Sequence, residues 1–191
     1  MRPSPDLDTM FGILHKPGGL QNDSMRLLHR SELDPPDGRT VRVHPDRILF
    51  PATDIDPRRT AVLRMELEPH FSSMRSAFQR HAGYRSFCYN WIVTRNGQVA
   101  IAPSHVRCRR TNRLVELGHP TLIGGVAAPM GRIGGELRYA HFGNGWRLFF
   151  INNNSGRYSA DLDRSDLQLK NVADRFSALG FPVETQWHDA R

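Results

Sequence analysis

The stretch "YNWIVTRNGQVAIAP", residues 89–103, constrains the fold of this chain more than any other. Two apolar-rich runs flank Asn96-Gly97, a pair that suits the two positive-φ positions of a type I′ turn. The pattern predicts a β-hairpin closed by such a turn. We therefore expect an antiparallel sheet at the centre of the fold.

Two helices are predicted, one on each side of the hairpin in the sequence. Pro69 fits the first turn of a helix over "PHFSSMRSAFQRHAG", and Gly83 fits its end. Ser165 and Gln168 form a capping box, which predicts the start of the second helix. The run before Pro69, "TAVLRMEL", alternates at period two and is predicted as a strand, with a helix as the alternative.

Further strands are predicted at "VAAPMGRIGGELRYA" and "WRLFFI", and "FPVETQW" is predicted as a last strand or an extended tail. We expect one α+β domain over residues 41–191, with an antiparallel sheet flanked by two helices. Residues 1–40 are rich in Pro, Gly and Asp and show no sustained period. They are predicted to form an irregular N-terminal extension.

The chain carries a formal net charge of +7, which suggests an anionic partner such as nucleic acid, a nucleotide or an acidic protein surface. A generally arginine-rich proteome would explain the same charge. The one dense basic cluster is "VRCRRTNR", in which Arg109 and Arg110 are predicted to bind substrate. No apolar run approaches the roughly 18 residues of a membrane span, so no membrane partner is expected.

The N-terminus has no apolar signal-peptide region, and the two cysteines form neither a disulfide framework nor a zinc site. A cytoplasmic protein with reduced thiols is the expectation. Nine histidines raise the question of a metal, but none stands in a metal-ligand spacing, so no metal site is predicted.

Polar residues that could carry chemistry gather at predicted strand ends and in the joining loops, where sites are usually built. A histidine can act as an acid or base near neutral pH, an arginine can hold a phosphate, and a tyrosine can stack on a base or donate a proton. Each residue could instead simply satisfy a turn. The set comprises His119, Thr121, Arg132, Glu136, Asn154, Ser155 and Tyr158.

The order of motifs resembles a domain shared by bacterial toxin- or effector-like proteins and plant IQ-motif calmodulin-binding proteins. That family shows a His-Ser-Ser-Leu segment, then Gly-Gly, an Ala-Gly-Glu or Ala-Gly-Arg strand, and a Ser-Gly-His-Tyr turn before a helix. Here "GHPTLIGGVAAPMGRI" and "WRLFFINNNSGRYS" follow that order. The resemblance covers about residues 89–183.

By this resemblance His119 takes the place of the family histidine and Thr121 that of a hydroxyl after it. Arg132 falls on the Ala-Gly-Arg strand, and Ser155 and Tyr158 fall on the turn. Pro120 replaces the first hydroxyl, and Arg157 stands where the family has the turn histidine. No IQ motif occurs, so calmodulin binding is not implied.

The resemblance and the charge together predict a bacterial toxin or effector-type domain that acts on a nucleotide-containing substrate. The reaction would be RNA cleavage or transfer of ADP-ribose from NAD, with NAD then a substrate and no cofactor certain. His119 and Tyr158 are the predicted catalytic residues, and Glu136 is the candidate glutamate for the transfer. The residues expected to contact substrate are Thr121, Arg132, Asn154, Ser155 and Arg157.

The alternative is a non-catalytic module that binds nucleic acid or a protein partner through the basic face. A neutralising or regulatory protein partner is also expected for a toxin.

Overall fold

The computed structural model describes residues 6–15, 43–80, 88–107, 112–124, 130–141, 147–155, 158–159 and 164–189. These residues form an α+β fold, as the sequence predicted. In chain order the elements are α1 (Leu7–Phe11), β1 (Ile48–Pro51), α2 (Pro57–Arg80), β2 (Tyr89–Thr94), β3 (Gln98–Pro103), β4 (His105–Arg107), β5 (Leu114–Glu116), a 3₁₀ helix (His119–Leu122), β6 (Gly131–His141), β7 (Arg147–Asn152), α3 (Asp166–Ala178) and β8 (Val183–Gln186).

Six strands form one sheet in the order β1-β3-β2-β6-β7-β8, and β4 with β5 forms a separate two-stranded ribbon. Every pair in the large sheet is antiparallel except the last, because β8 runs parallel to β7. The prediction of a purely antiparallel sheet is therefore wrong at this edge. Helix α3 carries the chain back along the sheet before β8 begins, and a parallel pair requires such a crossover.

The predicted hairpin is confirmed, but its turn differs from the prediction. Gly97 has a φ of 68°, whereas Asn96 is not among the described residues with positive φ, so the turn is not type I′. The backbone N–H of Gly97 donates to the Thr94 carbonyl at 3.1 Å. The Thr94 hydroxyl accepts from the N–H of Gln98 at 3.2 Å and shares in closing the turn.

Helix α2 begins at Pro57, twelve residues before the predicted start, and Pro69 lies inside it. The predicted strand over "TAVLRMEL" is therefore wrong, and its helical alternative is correct. Leu63, Leu67 and Phe71 are spaced by four residues and are all buried, so helical burial outweighs the period-two pattern. Pro69 lies on the exposed side, where water can replace the missing backbone hydrogen bond.

One face of the large sheet carries the main apolar core. Trp91, Ile101 and Leu137 point from the strands toward Phe71 of α2 and Phe176 of α3. Phe71 also stacks on Phe181, with ring centroids 4.1 Å apart, just before β8.

Part of the predicted N-terminal extension belongs to this core. Phe11 of α1 is fully buried in it, and His15 forms an isolated antiparallel bridge with Gly131. Residues 6–15 therefore pack on the domain predicted to begin at residue 41, while residues 16–42 lie outside the described residues.

The opposite face of the sheet is only partly apolar. Ile92, Ala100 and Ala102 form a second, smaller cluster there, covered by Leu122 of the 3₁₀ helix and by Tyr158. Polar side chains occupy this face farther along β6 and β7. Among the described residues no helix combines the length and apolar character needed to cross a bilayer.

Candidate functional site

Strand β6 supplies two charged side chains to the face of the sheet that carries no long helix. Ile133 and Leu137 point into the main core, so Glu136 and Arg138 point the other way. Asn90 of β2 lies directly opposite Glu136 in the pairing register. The strands thus bring a carboxylate, a guanidinium and an amide together at one place.

The Glu136 carboxylate is held by its neighbours. Arg138 donates to Glu136 Oε2 from Nε at 2.9 Å and from Nη2 at 2.7 Å. The Asn152 amide also approaches the same oxygen, at 3.4 Å. The Glu136 side chain is 15% exposed and that of Arg138 27% exposed, so both are partly screened from water.

His119 reaches the same strand from the 3₁₀ helix. Its Nε2 lies 2.8 Å from the carbonyl oxygen of Gly135, the residue before Glu136. A carbonyl can only accept, so Nε2 must donate, and Nδ1 carries the lone pair of the neutral ring. The imidazole is half-buried, and this bond fixes its orientation beside the Glu136 strand.

A second tether holds the segment before His119 on the same face. The Asn90 side chain donates to the Leu117 carbonyl at 2.8 Å. Leu122, at the other end of the 3₁₀ helix, packs on the small apolar cluster. Thr121 lies between them, and its hydroxyl donates to the Gly118 carbonyl at 2.9 Å. Thr121, a predicted substrate contact, thus closes the turn that presents His119.

Tyr158 and Arg132 lie in the interior. Tyr158 is 1% exposed, and its ring packs with Ile92 in the small apolar cluster. Arg132 is 7% exposed and donates to the Gly12 carbonyl at 2.7 Å and to the Asp8 carboxylate. The predicted roles in stacking, proton donation and phosphate contact need accessible side chains. In this structure both residues instead pack and join elements of the fold.

The "INNNSGRYS" segment meets the site through its first asparagine. Asn152 Oδ1 accepts from the backbone N–H of Glu136 and from that of Asn154, each at 3.0 Å. Asn154 itself is exposed at the edge of the cluster. Ser155 is 3% exposed, and its hydroxyl has no hydrogen-bond partner among the described residues. Arg157, Arg109 and Arg110 lie outside the described residues.

The β4–β5 ribbon borders the cluster. Its base is fixed by bonds from Ser104 N to the Cys88 carbonyl at 2.9 Å and from Leu117 N to the Ser104 carbonyl at 2.8 Å. Arg107 and Arg113 are exposed on it. Burial raises the pKa of the Cys88 thiol, with the nearby Glu136 carboxylate acting in the same direction. Cys88 is therefore not arranged as a thiolate nucleophile.

Sequence reasoning missed Arg138, Asn90 and Asn152. The signal for Arg138 is present in "GGELRYA", because Glu136 and Arg138 are two residues apart in a predicted strand and must share a face. Asn90 and Asn152 have no such signal, since only the pairing register brings them to Glu136.

A scan of protein-family models, a search of curated proteins and a search of solved structures each gave no match. The resemblance to the toxin and IQ-motif domain therefore stays a prediction. Across the part of the chain that the structure describes, no group of three or more His, Cys, Asp or Glu side chains is arranged to hold a metal ion.

Proposed function

We propose that this protein is a toxin- or effector-type ribonuclease that cleaves RNA through His119, Glu136 and Arg138 without needing a metal ion. The observation that carries the proposal is the convergence of these three residues on one sheet face. His119 binds the carbonyl beside Glu136, and Arg138 binds the Glu136 carboxylate. An acid, a base and a cation for the phosphate are sufficient for this reaction.

Glu136 acts as the general base and His119 as the general acid. The carboxylate takes the proton of a ribose 2′-OH while the 2′ oxygen attacks the adjacent phosphorus. The P–O5′ bond breaks as the new P–O2′ bond forms, which leaves a 2′,3′-cyclic phosphate. Nδ1 of the protonated His119 gives its proton to the departing 5′ oxygen. Arg138 stabilises the negative charge that builds on the phosphate oxygens.

Arg138 replaces Arg132 as the phosphate contact in this proposal. The Arg132 guanidinium already holds the Gly12 carbonyl and the Asp8 carboxylate in the interior. Arg138 donates to the Glu136 carboxylate from Nε and Nη2, which places its guanidinium beside the proposed base. The Arg138 side chain is 27% exposed, so a phosphate can reach it more readily than it can reach the buried Arg132.

The test compares purified wild-type protein with His119→Gln and Glu136→Gln on a mixed-sequence single-stranded RNA. Loss of a general acid or base should slow cleavage by about 10²–10⁴-fold. The matched control is His188→Gln, because His188 is exposed and lies on the C-terminal side of β8. Circular dichroism must show that all variants are folded.

Two results would contradict the proposal. Equal cleavage by the wild type and both variants would assign the activity to other residues. NAD consumption without RNA cleavage would favour ADP-ribosyl transfer, the other reaction predicted from the sequence.

A second candidate, a non-catalytic nucleic-acid-binding module, is favoured by the ribbon. Two-stranded ribbons with exposed arginines can lie along a nucleic-acid backbone, and Arg107 and Arg113 are exposed at the end of the ribbon away from its base. RNA binding that weakens steeply with salt, without cleavage, would support this module instead. A neutralising protein partner is expected only if the protein is a toxin.

A further inference from the structure

The segment just before β1 holds the 3₁₀ helix of the candidate site. The backbone N–H of His44 donates to the Thr121 carbonyl at 2.9 Å. Arg47 Nη1 donates to the Leu122 carbonyl at 2.7 Å. The carbonyls of the last turn of a helix have no partner inside it, so these two bonds satisfy groups that would otherwise need water. Residues 44–47 therefore fix the C-terminal end of the 3₁₀ helix.

The turn in this segment depends on an uncharged histidine. His44 is 2% exposed, and its Nδ1 accepts a hydrogen bond from the backbone N–H of Asp46 at 3.0 Å. An imidazole nitrogen accepts only while it carries a lone pair, and in the imidazolium both ring nitrogens are donors. A proton on Nδ1 would set two N–H groups against each other. The turn over residues 44–47 therefore requires the neutral ring.

The surroundings of the His44 ring disfavour a positive charge. Burial lowers its pKa from the usual 6.5, and His70 of α2, whose Nδ1 lies 3.0 Å from the Tyr89 hydroxyl oxygen, acts in the same direction. The Asp46 carboxylate and the Pro103 carbonyl oppose this shift but do not cancel it. A proton on His44 therefore favours a conformation in which the ring has moved into water, where the exposed Asp46 carboxylate can pair with it.

We propose that residues 44–47 are a proton-operated latch on the 3₁₀ helix, closed when the His44 ring is neutral and open when it is charged; the effect of the latch on cleavage rests on the proposed ribonuclease function. The neutral ring keeps the turn and both bonds to the helix. The charged ring opens the turn, and both bonds are lost. One proton separates the two states, so each pH unit below 6.5 should favour the open state by up to about tenfold.

Opening the latch changes the candidate site at one end of the 3₁₀ helix. The first end stays held, because the Asn90 side chain still donates to the Leu117 carbonyl. The last turn loses its bonds to residues 44–47. His119 belongs to this four-residue helix, so its imidazole is no longer fixed beside Glu136. Acid should therefore slow the proposed reaction through the latch as well as through the catalytic groups themselves.

The experiment follows hydrogen exchange of backbone amides by NMR, with the full chain, between pH 7.5 and 5.5. Each rate is divided by the intrinsic exchange rate at that pH. The amide at position 44 reports the latch directly, since it donates to the Thr121 carbonyl. Amides of the central strand β2 report unfolding of the whole sheet. Rates of RNA cleavage are measured at the same pH values.

His44→Asn separates the turn from its titration. An asparagine side-chain oxygen can accept from the N–H two residues on, as Nδ1 does here, and it gains no proton in this pH range. His70→Gln is the matched control, because it removes the other histidine near Asp46 and leaves the latch in place. Circular dichroism at pH 7.5 must show that both variants are folded. The wild-type exchange profile tests the latch without either variant.

In the wild type, normalised exchange at position 44 should rise by up to about tenfold per pH unit below pH 6.5 and stay faster than exchange in β2. His44→Asn should abolish the rise, and His70→Gln should keep it. The cleavage rate of the wild type should fall more steeply toward pH 5.5 than that of His44→Asn.

Failure of the latch and failure of the ribonuclease proposal give different results. The latch would be overturned by exchange at position 44 that is flat with pH, that equals exchange in β2 at every pH, or that rises equally in His44→Asn. The expected exchange with no RNA cleavage by the wild type would uphold the latch and overturn the ribonuclease. The expected exchange with parallel cleavage profiles in wild type and His44→Asn would overturn the effect of the latch on the site.

Discussion

At the end of β7, the side chains of Asn152 and Asn153 form hydrogen bonds with backbone groups that would otherwise pair with backbone. Asn152 Oδ1 takes the hydrogen bond of the Glu136 N–H, a bond that a strand carbonyl would otherwise accept. Asn153 binds the backbone of His188 in both directions, donating to its carbonyl at 2.8 Å and accepting from its N–H at 2.7 Å. The asparagine run is thus a structural end to the strand that also fixes the position of Glu136.

Gly135 is the residue on which this close approach depends. A Cβ at Gly135 would lie 1.8 Å from the carbonyl oxygen of Asn152, which is backbone and cannot rotate away. We expect Gly135→Ala to lower the free energy of unfolding by about 3 kcal/mol, at the upper end of overpacking costs. Urea unfolding followed by circular dichroism measures this.

Gly118→Ala is the matched control for that measurement. A Cβ at Gly118 would meet only Pro120 Cδ, at an ordinary 3.5 Å. Its unfolding free energy should stay within about 0.5 kcal/mol of wild type. Equal stability of the two alanine variants would show that the chain at Asn152 can move aside.

At the scale of elements, the N-terminal segment is attached to the domain by side chains that donate to its backbone carbonyls. Arg132 binds the carbonyl of Gly12, Arg164 that of Ile13 at 2.7 Å, and Asn171 that of Met10 at 2.9 Å. A short helix of five residues is not stable alone, so these bonds and the burial of Phe11 hold it in place.

Arg132→Met tests whether Arg132 is structural. The variant keeps much of the side-chain volume but loses the hydrogen bonds to Gly12 and Asp8, so unfolding free energy should fall by about 2 kcal/mol. Arg59→Met, on the exposed surface of α2, should change it by less than about 0.5 kcal/mol. RNA affinity per folded molecule should be the same in both; a selective loss in Arg132→Met would restore its predicted role as a phosphate contact.

Elements were predictable where the signal is local. The hairpin and the Ser165–Gln168 capping box, whose side chains and backbone bond reciprocally, follow from adjacent residues and were found. The length of α2 was not predicted. Pro69 was read as the start of the helix, but the turns before it are also helical because Leu63 and Leu67 are buried in the core. The parallel pairing of β8 with β7 depends on the crossover through α3, and no short sequence motif predicts that connection.

At the scale of the whole molecule, the sheet separates two environments: the α-helices and the main core lie on one face, and a small apolar cluster beside polar side chains lies on the other. A pair of histidines lies where α2 and the chain before β1 meet the sheet. His44 is 2% exposed, and His70 Nδ1 lies 3.0 Å from the Tyr89 hydroxyl oxygen. Burial lowers the pKa of both histidines, opposed in each case by the Asp46 carboxylate.

This burial predicts that acid weakens the fold. Each histidine has a folded-state pKa below its usual 6.5, so the unfolded chain binds more protons as pH falls through that value. The free energy of unfolding should drop below pH 6.5 by at most about 1.4 kcal/mol per pH unit for each histidine. Urea midpoints between pH 7.5 and 5 measure the slope.

Variants identify the groups responsible for that slope. The double variant His44→Gln, His70→Gln should flatten it, whereas His188→Gln, at an exposed position, should leave it as in wild type. A wild-type stability that is flat or rising toward acid pH would contradict the assignment.

The candidate site was only partly predictable at this scale. His119 and Glu136 were named from residue type and their place in the sequence, and the 3₁₀ helix does bring His119 to the strand that carries Glu136. Arg132 and Tyr158 were named on the same grounds, yet both are buried. Residue type states what a side chain can do, but burial depends on which face of the sheet the helices cover. Only the assembled sheet decides that.

The outer strands of the sheet bear on how the protein behaves in concentrated solution. β1 and β8 are the two edges, and each is four residues long. Pro51 has no N–H to offer a further strand, and Glu184 places a charge beside the other edge. A short edge strand that contains a proline, like β1, or a charged residue, like β8, is a poor template for added strands. The sheet therefore resists growing from one molecule into the next, which protects the chain against aggregation.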